Sequence, residues 1–319
     1  AEDGIRYLER SRGLGDVYKR QKYYRIENDR IIPDDMEISD ETRLSLKSML
    51  LDKLGVNNLP DAKQFDVHVS QWAELLNQPI PQIKRISVDI EVESDIGRIP
   101  DPKIAEKRIT AIGFEASDGL KQVFVLRRSD AQEGVNELLP GVDIIFYDET
   151  KEKEMILDVF ELVQKYPLLI TYNGDGFDLP YLYNRADKLG IEREKNPFYM
   201  MRDSATLRKG VHLDLYRTMS NRAFQIYVFG QKYTDFSLNS VAKGVLNEKK
   251  IDYGIELNDL SLYQTAKYCQ NDARITYNLT SFNNDLLMNL LIVISRIARM
   301  PIDDISRMGV SQWLSLIHI

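Results

Sequence analysis

Short runs of apolar residues, most of them β-branched or aromatic, succeed one another through the middle of the chain: "RISVDIEV" (85–92), "RITAIGFEA" (108–116), "KQVFVLRR" (121–128) and "DIIFYD" (143–148). Gly, Pro and Asp separate them, so the pattern predicts four successive strands. In "TKEKEMILDVFELVQKY" (150–166) the period changes, because Ile156, Val159, Phe160 and Val163 fall at i, i+3, i+4 and i+7. That spacing predicts an amphipathic helix laid on the sheet. "PLLITYNGDG" (167–176) is continuously apolar and ends in a turn, as expected of a strand buried on both faces. Beyond Asp178 the chain reads as mostly helical through "LPYLYNRADKLG", "FSLNSVAKGVL" and "LSLYQTAKYCQNDARITYNLTSFNN", with one short apolar segment, "VHLDLY". No internal repeat or low-complexity tract is present.

Residues 22–80 are polar and mixed, with a short helical pattern in "ETRLSLKSMLLDKLG" and a Pro-bounded connector, "NQPIPQIK", which places a boundary near Pro81. The ends, "SRGLGDVYKRQ" (11–21) and "LSLIHI" (314–319), resemble translated adapter read-through and are expected to be non-native.

Composition narrows the chemistry. The 319 residues are 43% hydrophobic and 29% charged, ordinary for a globular protein. One cysteine, Cys269, excludes an internal disulfide, and with His68, His212 and His318 it does not make a structural zinc site. A metal must therefore be held by oxygen. The net charge of −7 argues against binding nucleic acid by surface charge alone, but not against an acidic centre that recruits cations to meet phosphates. The longest apolar stretch, "LLMNLLIVI" (286–294), is shorter than the ~20 residues of a membrane span, and no signal peptide opens the chain. A soluble, cytoplasmic protein without a membrane partner is expected.

Three polar constellations interrupt the apolar pattern. Asp89 and Glu91 lie two apart on a predicted strand and so share a face. Alone they equally suit a solvent-facing edge, whereas in a partly buried site such a pair needs a cation or a proton between them. "YNGDGFD" (172–178) ends the buried strand and delivers Asp178, which Pro180 two residues on would equally suit to an N-cap. An EF-hand is excluded, because Phe177 falls where an oxygen ligand is required. In "YCQND" (268–272), Tyr268 and Asp272 are four apart and share a helical face, which many helices show by chance.

Taken in order, "DIE", "YNGDGFD" and "YCQND" resemble the three exonuclease motifs of family-B DNA polymerases, the proofreading nucleases with four carboxylates and a tyrosine in the third motif. "VDIEVESDIGRIPDPKIAEKRITAIGF", "HLDLYR" and "FSLNSVAKGVL" resemble the archaeal branch, and "ISRIARMPIDDISRMGVSQW" resembles the stretch after its exonuclease domain. The resemblance implies an α/β fold, a ribonuclease-H-like mixed sheet flanked by helices, with residues 22–80 a partial N-terminal domain, 81–283 the exonuclease domain and 284–313 the helical start of the polymerase region. It implies that Asp89, Glu91, Asp178 and Asp272 ligate two Mg2+ or Mn2+ ions and that Tyr268 orients the attacking water.

By the same resemblance Asn173 and Phe177 line the path of a single-stranded 3′ end, where fold support at a turn is an equal reading. Lys232 would touch a phosphate or stay a solvated surface lysine, and Arg202, Arg208 and Lys209 form a small basic group. Asp214 is read as orienting its neighbours rather than binding metal. Runs like the family's polymerase motifs, "DFxSLYPS" or "YGDTD", do not occur. The expectation is a chain that hydrolyses DNA ends without extending them, from a parent polymerase whose palm, fingers and thumb, primer-template DNA and a sliding clamp would be its partners. Two alternatives stand: a free-standing exonuclease of the same fold acting on DNA or RNA, and a catalytically inactive DNA-binding module. The apolar helix at 286–298 is expected to leave surface for the missing polymerase parts.

Overall fold

The computed structural model describes residues 23–27 and 30–34, as backbone, and residues 78–308 apart from 96 and 299. The helical pattern at 41–55, both ends expected to be non-native and most of the 22–80 segment lie outside the described residues. Strands β1 (Tyr23–Glu27) and β2 (Arg30–Asp34) pair antiparallel.

A mixed, six-stranded sheet carries the rest. Its strands are β3 (Arg85–Val92), β4 (Ile109–Ala116), β5 (Lys121–Leu126), β6 (Asp143–Tyr147), β7 (Leu168–Thr171) and β10 (Val211–Asp214). They lie in the order β10-β7-β3-β4-β5-β6. The four runs of the first apolar series are β3 to β6, and the continuous run at 167–176 supplies the fully buried β7. β3 pairs antiparallel with β4 but parallel with β7, and β7 parallel with β10. One sheet edge therefore collects the C-terminal ends of three parallel strands, the usual place for a ligand in an open α/β sheet.

Two large cores cover the sheet. On one face Ile86, Val88, Ile90 and Val92 of β3 meet Met155, Ile156, Val159, Phe160 and Val163 of α1 (Glu152–Val163), the stripe that the period predicted. α2 (Asp178–Lys188) is tied beside it by a buried bidentate pair, in which Arg185 Nε and Nη2 donate to Glu152 Oε1 and Oε2 at 2.8 and 2.6 Å. Glu152 Oε1 also accepts from Ile109 N of β4 at 2.8 Å. Because one carboxylate serves helix and sheet together, α2 is fixed in position with Asp178 at its first turn.

The second core joins Ile170 of β7 and Leu213 of β10 to α3 (Leu215–Ser220), α4 (Leu238–Leu246), α5 (Leu262–Ala298) and α6 (Ile302–Arg307). α5 breaks at Phe282–Asp285, where four residues leave helical geometry. Beyond the break Leu287, Met288 and Leu291 are buried in this core while Leu290 and Ile294 are half-buried against it, so part of the apolar helix is used within the chain. The sequence pattern did not separate out the hairpin of β8 (Phe198–Met200) and β9 (Ala205–Leu207), whose strands are only three residues each.

Helix α5 crosses β4 at Gly113, where an added Cβ would lie 2.7 Å from the Cys269 carbonyl oxygen. Overpacking a rigid contact of this kind costs about 1–3 kcal/mol. Gly113→Ala is therefore expected to lower the unfolding free energy by about that amount in chemical denaturation, and wild-type stability in the variant would show that α5 does not sit this close.

Candidate active site

The face of β3 opposite the first core belongs to α5, and its polar residues are used one after another along the helix. Arg85 Nε donates to Thr280 Oγ1 at 3.0 Å, Ser87 Oγ to the Ala273 carbonyl at 2.7 Å, and Cys269 Sγ to the Asp89 carbonyl at 3.3 Å. Strand and helix therefore run in opposite directions, and the next positions on that face are Asp89 and Glu91. Both carboxyl groups lie against α5 and outside the first core, and burial there disfavours their charged forms.

β3 pairs with β7 only as far as Ser87 against Ile170, after which the two strands part. Ile90 N, left without a β7 partner, donates instead to Asp178 Oδ1 at 3.1 Å. Asp178 is thus the first residue of α2 and not its cap, since the preceding position is Phe177 and the carboxylate reaches across to β3. The positive end of the α2 dipole favours a carboxylate there. From the other side, one turn of α5 presents Tyr268 and Asp272.

Asp178 and Asp272 are buried, with 5% and 2% of their surface exposed, while Asp89 and Glu91 are half-buried. Burial, then repulsion from Asp272, Asp178 and Glu91, raises the Asp89 pKa well above the usual carboxylate range. Burial and Asp272 raise Glu91 to about 8, against a lowering by Lys250. Asp178 is raised to about 7 by burial, opposed by the Ile90 hydrogen bond. Asp272 is raised by burial, with Lys250 opposing. The four acids therefore feel one another, and Asp272 Oδ1 is buried with no hydrogen-bond partner.

A tighter subset is formed by Asp89, Glu91 and Cys269, whose ligand-type atoms lie within 4.8 Å of one another. The Cys269 thiol is pushed up by burial and then by the neighbouring carboxylates, so it stays protonated and serves as a hydrogen-bond donor. Oxygen remains the donor available to a hard cation.

A residue that the motif spacing did not suggest completes the cluster. Lys250, in the coil between α4 and α5, pairs with Asp272 Oδ2 and sits 5.3 Å from the centre of the Tyr268 ring. Burial works against its charge, but Asp272 and Asp89 hold the ammonium protonated. Nothing periodic marks it in "NEKKIDYG"; only the packing of that coil over α5 brings it in. Tyr268 is also shifted upward by burial, which leaves a neutral phenol.

The remaining candidates divide. Asn173 has φ +65°, a left-handed position that asparagine tolerates better than most residues, and its side chain is exposed. Asp214 accepts from the N–H groups of Asn173, Asp175 and Tyr216 at 2.8, 3.0 and 2.9 Å, so it orients the loop leading to Asp178. Phe177 is half-buried and rests on Tyr181, ring centres 5.5 Å apart. Lys232 is exposed, and no hydrogen bond or ion pair of its side chain joins it to the acidic group among the described residues. Arg208 is committed to the backbone, donating to the Asn196 and Arg193 carbonyls.

The family model described as DNA polymerase family B, exonuclease domain, matches residues 19–241. The chain belongs to this family. It is 38% identical over 251 residues to DNA polymerase 1 of Sulfurisphaera ohwakuensis and 39% identical over 249 residues to DNA polymerase 1 of Saccharolobus solfataricus. These alignments take in 78% and 77% of this chain but 28% of each relative, so the chain spans a little over a quarter of their length. The solved family B DNA polymerase from Pyrobaculum calidifontis shares the fold, with a TM-score of 0.54 and 21% identity over 74% of this chain and 28% of that one. The expected mixed α/β fold and the expected exonuclease family are both met. Exonuclease domains of this kind use divalent metal ions, and Asp89 with Glu91 forms an acidic cluster of the type that receives them. Among the described residues, no helix is long and apolar enough to cross a membrane.

Raised carboxylate pKa values mean that the folded state binds protons more tightly than the unfolded chain, whose glutamates titrate near 4.3. Without divalent ions, stability is expected to fall as pH rises from about 5 toward 8, the window ending at the folded value for Glu91 of about 8. Thermal unfolding in EDTA should show a lower midpoint at the alkaline end, with Glu91→Gln flattening the dependence and Mn2+ restoring the loss. A midpoint independent of pH in this range would contradict the clustering.

Proposed function

We propose that this chain is the 3′-5′ proofreading exonuclease portion of a family-B DNA polymerase and hydrolyses the terminal phosphodiester of single-stranded DNA. What supports the reading is the closeness of Asp89 and Glu91 on β3 and the electrostatic influence on Asp89 of Asp178 from α2 and Asp272 from α5, with Tyr268 one turn from Asp272. On this reading Asp89, Glu91, Asp178 and Asp272 would hold two divalent ions, Mg2+ or Mn2+. Bound there, the ions would supply Lewis acidity toward the phosphodiester.

The chain's own groups divide the rest of the work. Tyr268, neutral because burial raises its pKa, is suited to orient a water by hydrogen bonding rather than to take its proton. Lys250 balances Asp272 and borders the Tyr268 ring, which limits where that ring sits. Asp214 fixes the loop at 173–175, so a strand passing Asn173 and Phe177 would meet a set surface. Lys232 remains a proposed phosphate contact from the rim. In the parent protein, residues 22–80 would belong to an N-terminal domain and 284–313 to the start of the polymerase region. Its palm, fingers and thumb would deliver a primer-template end, with a sliding clamp as a further partner, in the cytoplasm.

The test is shortening of a 5′-labelled single-stranded oligonucleotide in Mg2+. Stepwise release of mononucleotides is expected, abolished by EDTA and by Asp89→Ala with Glu91→Ala. Tyr268→Phe should slow the reaction about a hundredfold, less than loss of the paired carboxylates does. Cleavage that survives the double substitution would overturn the mechanism.

A further inference from the structure

The C-terminal sheet edge that holds the acidic cluster extends past β7 to β10, and there the character of the surface reverses. A cavity of about 580 Å3 opens beyond the end of β10, lined by Arg217, Arg222, Asn221, Tyr227, Ser306 and Arg307 among others. In a chain of net charge −7, three guanidinium groups on one cavity are a local exception. Arg222 is exposed and makes no ion pair among the described residues. Tyr227 is 85% exposed, an aromatic ring held out beside them.

The cavity is joined to the loop of the acidic site. Arg217 Nε and Arg307 Nε each lie 3.7 Å from Asp175 Oδ2, a buried oxygen with no hydrogen-bond partner, and Arg307 Nε is likewise buried without one. Asp175 stands three residues before Asp178, and Asp214, the last residue of β10, holds its N–H. β10 lies two positions from β3 in the sheet, a separation of about 10 Å at ordinary strand spacing. An extended strand whose end reaches Asp89 and Glu91 could thus lay its backbone along the same edge.

We propose that this cavity binds single-stranded DNA a few nucleotides from the end being hydrolysed, with Arg222 on a phosphate and a base stacked on Tyr227. Two of the three arginines are already engaged, Arg217 and Arg307 with the buried Asp175 behind the cavity and Arg307 also with Asp303, 3.5 Å from its Nη1. Arg222, in no ion pair among the described residues, is the group left to meet a phosphate. A planar guanidinium fork beside an exposed ring suits a nucleotide, because one part reads the phosphate and the other any base face. The inference deepens the exonuclease reading and rests on it for the direction of the strand.

The test uses the whole 319-residue chain, with Arg222→Ala and Tyr227→Ala chosen because both side chains are exposed and neither belongs to the acidic cluster. Fluorescence anisotropy in EDTA would track binding of labelled oligothymidylates of about four and about twenty nucleotides. Each substitution is expected to weaken the longer strand about fivefold or more, to leave the shorter one unchanged, and, for Arg222→Ala, to reduce the salt slope by about one. In Mg2+ the KM for the longer strand should rise while kcat holds. Equal affinity of wild type and variants, or no binding by any of them, overturns the proposal; it is also the result if the cavity instead seats another protein segment. Loss of hydrolysis in Asp89→Ala with unaltered binding by Arg222→Ala would remove this inference and spare the exonuclease. Binding that depends on Arg222 in a chain that never cleaves would do the reverse.

Discussion

The close approach of α5 to β3 and β4 governs the rest of the molecule. Gly113 removes the side chain that would keep them apart, and it pairs directly with Asp89 across the ladder. The helix can then settle close enough for its Cys269 thiol to reach the Asp89 carbonyl. Gln270 Nε2 donates to the buried Glu115 Oε2 at 2.9 Å, so a second charge on the sheet is also satisfied by this helix. Tyr268 and Asp272 are carried over the two β3 carboxylates by that packing alone.

The chain thereby keeps an electrostatic conflict at its centre. Buried acids repel one another and favour protonation, and Lys250 relieves the part that falls on Asp272. An arrangement of this kind lowers stability in the absence of cations and raises the affinity for them, which is the trade expected where function outranks packing. The separation of β3 from β7 beyond Ser87 makes room for it, because a fully paired strand would have no free Ile90 N–H for Asp178 to bind.

The parallel half of the sheet extends the same logic sideways. β3, β7 and β10 end together, and each strand leads into a different kind of surface: carboxylates at β3, a loop held by Asp214 after β7, arginines after β10. Acidic centre and basic cavity lie along one edge because only β7 separates the strands that deliver them, although Arg217 follows Asp89 by 128 residues in the chain.

Periodicity alone determined the strands at 85–147, the helical stripe of α1 and the buried β7, since each is dictated by local side-chain alternation. Spacing put Asp89 with Glu91, and Tyr268 with Asp272, each on one face, but it was the resemblance of the three motifs in order to those of a known family that singled them out. The tertiary structure decided what no local rule contains. It parted β3 from β7 so that Asp178 turns to Ile90 rather than capping its helix, and it brought Lys250 in from a coil without periodicity. It also left Lys232 on the surface without a contact to the acids, and it set three arginines from separate elements around one cavity. Contacts of this second kind depend on loop paths and on interhelical packing, and their partners lie tens to hundreds of residues apart, beyond the reach of any repeating pattern.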